Sequence, residues 1–289
     1  MQIGVHALVF TGTFDQAGIS AAVERTARAG FDLIEFPLMD PFAFDREHAA
    51  REIASHGIAA TASLGLSEQT DLTSPDPAVR EAGETLLAEC LDIVHALGST
   101  ELCGVLYSAM KKYVTPPTSE GRAASAAAIG RLADKAAGLG ITLSLEVVNR
   151  YETNLLNTGR QALRFLEDVD RDNVRVHLDT YHMNIEESDL VQPVLDVSER
   201  LGYVHIGESH RGYLGSGTVD FDAFFRGLAR IDYDGPVVFE SFSSTVVSET
   251  LSNTLGVWRN LWDDGDDLAA HANRFIRDRL RSVETIALH

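Results

Sequence analysis

The chain has little cysteine and no long apolar run. Only two of its 289 residues are cysteines, Cys90 and Cys103, and neither belongs to a CxxC or other metal-binding spacing. We interpret both as reduced core residues, one in a helix and one in a strand. No stretch approaches 18 uninterrupted apolar residues, and the N-terminus shows no basic segment followed by an apolar one. The sequence therefore predicts no membrane partner and a cytoplasmic location.

Positive charge is also scarce. Lys and Arg number 24 against 43 Asp and Glu, which gives a formal charge of −19. Such a surface repels polyanions unless it carries a local basic patch, and none is evident, so nucleic acid is not an expected partner. No Pro/Ser-rich linker or low-complexity segment divides the chain either. We expect a single domain over residues 1–289, with a helical extension from Leu251 that carries Trp258 and Trp262 one turn apart.

One pattern recurs: an amphipathic stretch rich in alanine and leucine, then a glycine, then a short run of β-forming residues. Five glycines stand where a helix would end in a left-handed residue before a strand, namely Gly30, Gly57, Gly98, Gly140 and Gly202. The runs predict eight strands, near Ile3–Phe10, Leu33–Phe36, Ala59–Leu64, Glu101–Leu106, Thr142–Val147, Val174–Asp179, Tyr203–Ile206 and Val237–Ser241.

The alternation of strands and helices predicts a parallel sheet, because a crossover helix returns the chain to the same edge. Eight such units favour closure into a (β/α)8 TIM barrel of the α/β class. An open, doubly wound sheet is the alternative. It is disfavoured because a lone Gly12, and no glycine-rich dinucleotide-binding turn, follows the first strand.

The last four predicted strands carry ionisable residues at their carboxyl ends, where α/β barrels place their catalytic side chains. In strand five, period-two alternation directs Leu143 and Leu145 outward to the helices and turns Glu146 inward. Strand six ends in Asp179 by the same alternation, strand seven carries His205 between two apolar residues, and strand eight ends in Glu240. The predicted set is Glu146, Asp179, His205 and Glu240.

Each of these four residues has an ordinary explanation when taken singly, as a solvated loop carboxylate or a satisfied core histidine. Their joint occurrence is different, because a charge among apolar residues is costly to bury unless it is paired or metal-bound. Three carboxylates and one imidazole form a mainly hard oxygen set, which suits Mn²⁺, Mg²⁺ or Co²⁺ better than structural zinc. We predict one divalent ion, with Mn²⁺ preferred.

The segments around these four residues resemble the ketose 3-epimerases, the D-tagatose, D-allulose (D-psicose) and L-ribulose 3-epimerases. The motifs are SLEVVNRYETNLLNT around Glu146, HLDTYHMNIEE around Asp179, HIGESHRGYLGSG around His205 and VVFESFSS around Glu240. The resemblance runs the length of the chain. It implies a TIM barrel, metal-dependent epimerisation of a free ketose at C3, and assembly as a homodimer or homotetramer.

The resemblance also implies that Glu152, His182 and Arg211 hold the hydroxyls around the reacting carbons. Each has a plainer alternative: a helix cap for Glu152, a surface loop position for His182, and charge balance with Glu208 for Arg211. The far end of the sugar is contacted by loop residues with little common pattern. Candidates there are His6, Phe10, Tyr107, Met110 and Lys111, of which we select His6 and Tyr107.

The implied chemistry begins with a ketose C3 proton, which is weakly acidic because it lies beside the C2 carbonyl. Its removal requires a stabilised enediolate, and a divalent ion chelated by O2 and O3 would stabilise it. Inversion at C3 also requires acid/base groups on both faces of the planar intermediate. Glu146 and Glu240, from strands five and eight, are the candidates, and Asp179 and His205 would chiefly bind the ion.

Several other functions remain open at this point. An aldose–ketose isomerase or a keto-inositol dehydratase could use the same barrel, ion and carboxylates. A metal-dependent endonuclease is disfavoured by the charge of −19. A non-catalytic sugar-binding barrel is disfavoured because binding alone does not need both Glu146 and Glu240.

Overall fold

The structure is a computed structural model that describes residues 1–287. Within these residues, eight parallel strands form a closed barrel in which each strand pairs with the next along the chain and the last pairs with the first. The strands are β1 (Ile3–His6), β2 (Leu33–Pro37), β3 (Ala59–Leu66), β4 (Glu101–Ala109), β5 (Thr142–Val147), β6 (Val174–Asp179), β7 (Leu201–Ile206) and β8 (Val237–Phe239). The predicted TIM barrel is confirmed.

Helices follow the strands. They are α1 (Gln16–Arg28), α2 (Arg46–His56), α3 (Pro77–Ala96), α4 (Ser119–Gly138), α5 (Gly159–Val169), α6 (Thr180–Glu186), α7 (Gln192–Val197), α8 (Phe221–Arg230), α9 (Glu249–Leu255) and α10 (Gly265–Ala287). Many begin at a side chain that accepts a free backbone N–H. Thr158 caps α5 in this way, and Gln161 completes a reciprocal capping box.

Two strand ends differ from the prediction where they bear on the site. β1 ends at His6 and not at Phe10, because His6 Nδ1 accepts a hydrogen bond from the Leu8 N–H at 3.3 Å and starts a 3-10 turn. β8 ends at Phe239 and not at Ser241. Glu240 therefore follows the strand directly, and its N–H donates to the Ile206 carbonyl at 3.1 Å.

The glycine prediction is confirmed at four junctions and wrong at one. Gly30, Gly57, Gly98 and Gly140 have positive φ, whereas Gly202 lies inside β7 and does not. The residue with positive φ at that junction is Ser198, with φ of 33°. Gly202 is needed for another reason, because a Cβ there would stand 2.5 Å from Ser144 Oγ on β5.

Side chains alternate along the strands between two apolar regions. Leu143 and Leu145 belong to the large core between barrel and helices, as predicted. A small separate cluster of Leu33, Cys103, Tyr203 and Val238 fills the barrel interior. Both cysteines are buried and free, Cys90 on α3 and Cys103 on β4, as the sequence predicted.

The C-terminal extension is helical only in part. α9 ends at Leu255, and the chain is not helical again until Gly265. Trp262 lies in this non-helical stretch, is buried, and donates from Nε1 to Ser241 Oγ at 2.8 Å, whereas Trp258 is 75% exposed. The predicted helical spacing of the two tryptophans is therefore wrong, because the segment that carries both of them is not helical. Among residues 1–287, no helix has the length and apolar character needed to cross a membrane.

Candidate active site

The four predicted metal ligands meet at the carboxyl end of the barrel. Glu146 lies near the end of β5, Asp179 ends β6, His205 is on β7 and Glu240 follows β8. One ligand atom from each lies within 4.8 Å of all the others, and all four side chains are buried. Residues up to 94 positions apart in the chain thus converge on one small volume, because consecutive parallel strands bring their carboxyl ends together.

His205 shows that the cluster suits a cation. Its Nδ1 is buried without a hydrogen-bond partner, and it lies 3.7 Å from Glu146 Oε1 and 3.6 Å from Glu240 Oε1. Such separations are long for hydrogen bonds. They match two atoms bound to one ion at about 2.1 Å each, which are about 3–4 Å apart. The unpartnered nitrogen and the carboxylate oxygens therefore fit a divalent metal ion.

The crowding of carboxylates shifts the pKa values within the cluster. Burial raises the pKa of Glu146 to about 8 and that of Asp179 to about 6, because the charged forms are desolvated. Glu240 is buried as well, but the Arg211 guanidinium and His205 hold its pKa below the usual range. Burial opposes protonation of His205, yet Glu35 and Glu240 raise its pKa well above 6.5. A bound divalent cation would favour the ionised carboxylates and the unprotonated imidazole.

Arg211 approaches the same carboxylates from the loop after β7. Its Nη1 lies 3.2 Å from Asp179 Oδ2 and donates to Glu240 Oε2, and its guanidinium stacks on Tyr181 at 3.8 Å. The Ser241 hydroxyl donates to the Arg211 carbonyl, where φ is 62°. Arg211 therefore pairs with Asp179 and Glu240, and the alternative of a simple charge balance with Glu208 is wrong.

His182 and Glu152 lie beside the cluster and share one support. Asn149 donates its backbone N–H to His182 Nδ1 at 3.1 Å and its side-chain amide to Glu152 Oε1 at 2.8 Å. His182 Nε2 then lies 3.7 Å from Glu146 Oε1 and 3.6 Å from Asp179 Oδ2. Burial raises the pKa of Glu152 to about 7. Neither the helix-cap nor the surface-loop alternative describes these residues.

A cavity opens above the cluster. It measures about 750 Å³ with its mouth, within the range of small-molecule sites. Its polar wall contains His6, Glu146, Glu152, His182, His205, Arg211 and Glu240. Its apolar wall includes Leu8, Leu64, Val105, Met110, Phe242 and Leu251.

Not every residue expected near the sugar lines this cavity. Tyr107 does not, because it points toward the helices, packs on Phe165 and donates to the backbone carbonyl of Glu146 at 2.8 Å. Its placement as a substrate contact is corrected accordingly. Phe10 lies in the core under Arg25, and Lys111 pairs with Glu68 at the surface. His6 and Met110 do line the cavity.

Two residues at this site escaped the sequence analysis. Asn149 carries no pattern that distinguishes it from other loop residues. Glu35 is a fully buried carboxylate in the apolar run LIEFP of β2. The signal for Glu35 is the cost of burying a charge inside an apolar run, but Glu35 lies on β2, away from the carboxyl ends of the last four strands on which the predicted site rests.

Comparison with known proteins identifies the family to which the chain belongs. Over residues 23–279 the chain matches the family described as xylose isomerase-like TIM barrel. It is 64% identical to a ketose 3-epimerase of Arthrobacter globiformis over the full length of both chains. It is 54% identical to an L-ribulose 3-epimerase of Methylomonas sp. (strain DH-1), across 96% of this chain and 98% of the relative. The chain belongs to the ketose 3-epimerases, isomerases that act on free ketoses at C3.

A solved structure agrees with this assignment. The crystal structure of D-allulose 3-epimerase from Methylomonas sp. in complex with D-allulose matches with a TM-score of 0.95 and 54% identity, covering 96% of this chain and 97% of that one. The resemblance seen in the four sequence motifs is therefore confirmed along nearly the whole chain.

Proposed function

We propose that this enzyme epimerises ketoses of the L-ribulose and D-allulose type at C3, with one divalent ion held by Glu146, Asp179, His205 and Glu240. The unpartnered His205 Nδ1, which faces two carboxylate oxygens in a buried cluster, is the observation that carries this assignment. The substrate class is supported by the relatives, which are described as acting on L-ribulose or as binding D-allulose.

The ligand set of three carboxylates and one imidazole favours Mn²⁺, with Mg²⁺ and Co²⁺ as alternatives. When bound, the ion would act as a Lewis acid that increases the acidity of the C3 proton and stabilises negative charge on the neighbouring oxygens. The chain supplies the remaining functions: two carboxylates that move protons, polar groups that orient the sugar and walls that exclude water.

Glu146 and Glu240 are the proposed acid/base pair. They belong to β5 and to the end of β8, and both line the cavity. Inversion at C3 requires a base on one face of the sugar and an acid on the other, and one pair can serve both directions by exchanging these roles. The different environments of the two carboxyl groups, one desolvated and one beside Arg211, are typical of an acid paired with a base.

Arg211, His182 and Glu152 are proposed to orient the hydroxyl groups around C3. They line the cavity next to the acid/base pair and are held by neighbouring groups, Arg211 by Tyr181 and the other two by Asn149. His6 lines the same cavity and is proposed as a further substrate contact. Such held polar groups favour a single sugar orientation at little cost in side-chain entropy.

Turnover in D₂O tests the proposed chemistry. We expect deuterium at C3 of the recovered ketose and none at C1 or C4, because the returning proton has had the opportunity to exchange with solvent. NMR of the recovered sugar measures this. Label at C1 or C2 would indicate an aldose–ketose isomerase, and loss of water would indicate a dehydratase. Epimerised product without C3 label, at every turnover rate tested, would contradict proton transfer through Glu146 and Glu240.

We also propose that the enzyme works in the cytoplasm as a homodimer or homotetramer. The two free, buried cysteines suit a reducing compartment. Several large apolar side chains are exposed, among them Phe42, Val114, Tyr151 and Trp258, and such residues are common at subunit interfaces. Sedimentation analysis would give the number of subunits.

A further inference from the structure

Glu35 is a carboxylate in the centre of the barrel interior, below the proposed metal ligands. It is fully buried on β2, and its Oε2 lies 2.8 Å from His205 Nε2 and 2.7 Å from the hydroxyl of Tyr203. Its other oxygen, Oε1, has no hydrogen bond but lies 3.5 Å from His6 Nε2. This buried carboxylate therefore contacts two imidazoles, one of which is a proposed metal ligand.

The contact with Glu35 decides which nitrogen of His205 carries the proton in the neutral ring. A carboxylate oxygen at 2.8 Å accepts a hydrogen bond, so the hydrogen must be on Nε2. The opposite tautomer would place two lone pairs against each other in a buried site. With the hydrogen on Nε2, the lone pair of Nδ1 faces Glu146 Oε1 and Glu240 Oε1, where the proposed ion would bind.

The position of Glu35 is itself fixed by a short chain of hydrogen bonds. Tyr203 donates to Glu35 Oε2, and its oxygen lies 2.7 Å from the Thr61 hydroxyl on β3. All of these groups are buried. The hydrogen-bonded chain joins β2, β3 and β7, so Glu35 is held from both halves of the barrel, and its contact links His205 to a strand that provides none of the proposed metal ligands.

We propose that Glu35 is the positioning residue of the metal centre, which holds His205 in the tautomer and orientation required to bind the ion. The proposal rests on the assignment of His205 as a ligand in the proposed function. Carboxylates that accept the second N–H of a metal-bound histidine typically change metal affinity or activity by about 10–100-fold when removed. Since Glu35 lies outside the cavity lining, its effect is expected on metal binding first.

Direct metal binding tests this without relying on activity. Metal-stripped protein is titrated with Mn²⁺, and the free Mn²⁺ that remains is measured by electron paramagnetic resonance. We expect Glu35→Gln to weaken Mn²⁺ binding by about 10–100-fold, because glutamine keeps the size of the side chain but loses its charge and one acceptor oxygen. Circular dichroism and thermal unfolding show whether each variant is folded.

Glu101→Gln is the matched control. Glu101 is also a buried glutamate on a barrel strand, at the amino end of β4. It accepts a hydrogen bond from the hydroxyl of Ser144 on β5. It contacts none of the proposed ligands directly, and we expect its substitution to change Mn²⁺ affinity by less than about threefold. An equal loss of affinity in both variants would overturn the specific role of Glu35.

The outcomes separate the two proposals. If the wild-type protein binds Mn²⁺ and folded Glu35→Gln binds it equally well, the positioning role is wrong while the ligand assignment stands. If the wild-type protein binds no Mn²⁺, Mg²⁺ or Co²⁺, the ligand assignment fails and the role of Glu35 fails with it.

A second measurement needs no variant of Glu35. In wild-type protein labelled with ¹⁵N-histidine and loaded with diamagnetic Mg²⁺, the His205 ring should carry its hydrogen on Nε2. His205→Gln assigns the resonance. A hydrogen on Nδ1 in the loaded protein would overturn the proposal even if Glu35→Gln does not fold.

Discussion

The two halves of the barrel contribute to this site in different ways. Strands β5 to β8 place four ionisable side chains at or next to their carboxyl ends, where they meet one another, and three of them, Glu146, His205 and Glu240, also line the cavity. Strands β1 to β4 contribute support and shape: Glu35 lies against His205, and apolar residues such as Val105 line the cavity wall. The second half is therefore proposed to perform the chemistry, and the first half is proposed to hold the His205 ring in its orientation.

Removal of the metal should show this difference most strongly. The proposed ion is bound by β5 to β8 alone, so chelation is expected to abolish epimerisation, and Mn²⁺, Co²⁺ or Mg²⁺ is expected to restore it. Activity is measured before chelation, after it and after addition of each ion. Thermal unfolding of the stripped protein checks that the barrel remains folded. Full activity in stripped, folded protein would exclude the metal-dependent mechanism.

The next largest effect is expected from the two glutamates. Glu146→Gln and Glu240→Gln should each reduce kcat by several orders of magnitude, since positioned acid/base groups contribute about 10²–10⁴-fold and these side chains are also proposed ligands. Steady-state kinetics with one ketose in both directions measures the loss. A variant that still binds metal and, in D₂O, introduces deuterium at C3 of unepimerised sugar has kept the base for one face. Near wild-type turnover in either variant would contradict its role.

His205→Ala and Arg211→Ala should separate binding of the ion from binding of the sugar. His205→Ala is expected to weaken metal affinity and activity together, whereas Arg211→Ala is expected mainly to raise KM, by about 10–100-fold for a charged hydrogen-bonding partner. Metal titration and kinetics on both variants measure the difference. Unchanged metal affinity in His205→Ala would remove it from the ligand set.

The smallest effect is expected at the amino end of the barrel, where Glu101 lies. Burial raises its pKa to about 8 from an ordinary value of 4.5. Between these values the folded state holds the proton and the unfolded state does not, so stability falls as pH rises from about 4.5 to about 8. The slope is at most about 1.4 kcal/mol per pH unit, which corresponds to roughly 2–4 °C in Tm.

Glu101→Gln keeps a neutral partner for Ser144 and removes this titration. Its Tm should therefore depend less steeply on pH between 5 and 8 than that of the wild-type protein, while kcat stays the same. Differential scanning calorimetry across that range measures both slopes. Parallel slopes would mean that Glu101 ionises in the folded protein at its ordinary pKa.

The sequence was sufficient for the barrel and for the proposed ligand set. Period-two alternation indicates which residues point inward, and the repeated glycine junctions indicate where strands begin; both rules are local. They located Glu146, Asp179, His205 and Glu240 correctly at the carboxyl end of the barrel. The motifs around these residues also identified the family correctly.

The same local rules were wrong where a neighbour in space, and not along the chain, controls the backbone or the side chain. Gly202 is required by Ser144 on β5, and Tyr107 turns away from the cavity to reach the Glu146 carbonyl. Trp262 lies in a non-helical stretch, where its indole N–H donates to Ser241 and its ring packs on the barrel.

By itself, then, the sequence determined the fold and the four strand-end residues proposed as ligands, because local periodicity and burial cost can be read along the chain. Its motifs determined the family through their resemblance to known members. Only the tertiary structure decided how those residues are supported. The contact of Glu35 with His205 joins β2 to β7, across 170 positions of sequence, and the direction of the imidazole follows from that contact. A hydrogen bond across the barrel depends on closure of all eight strands, and no local pattern encodes it.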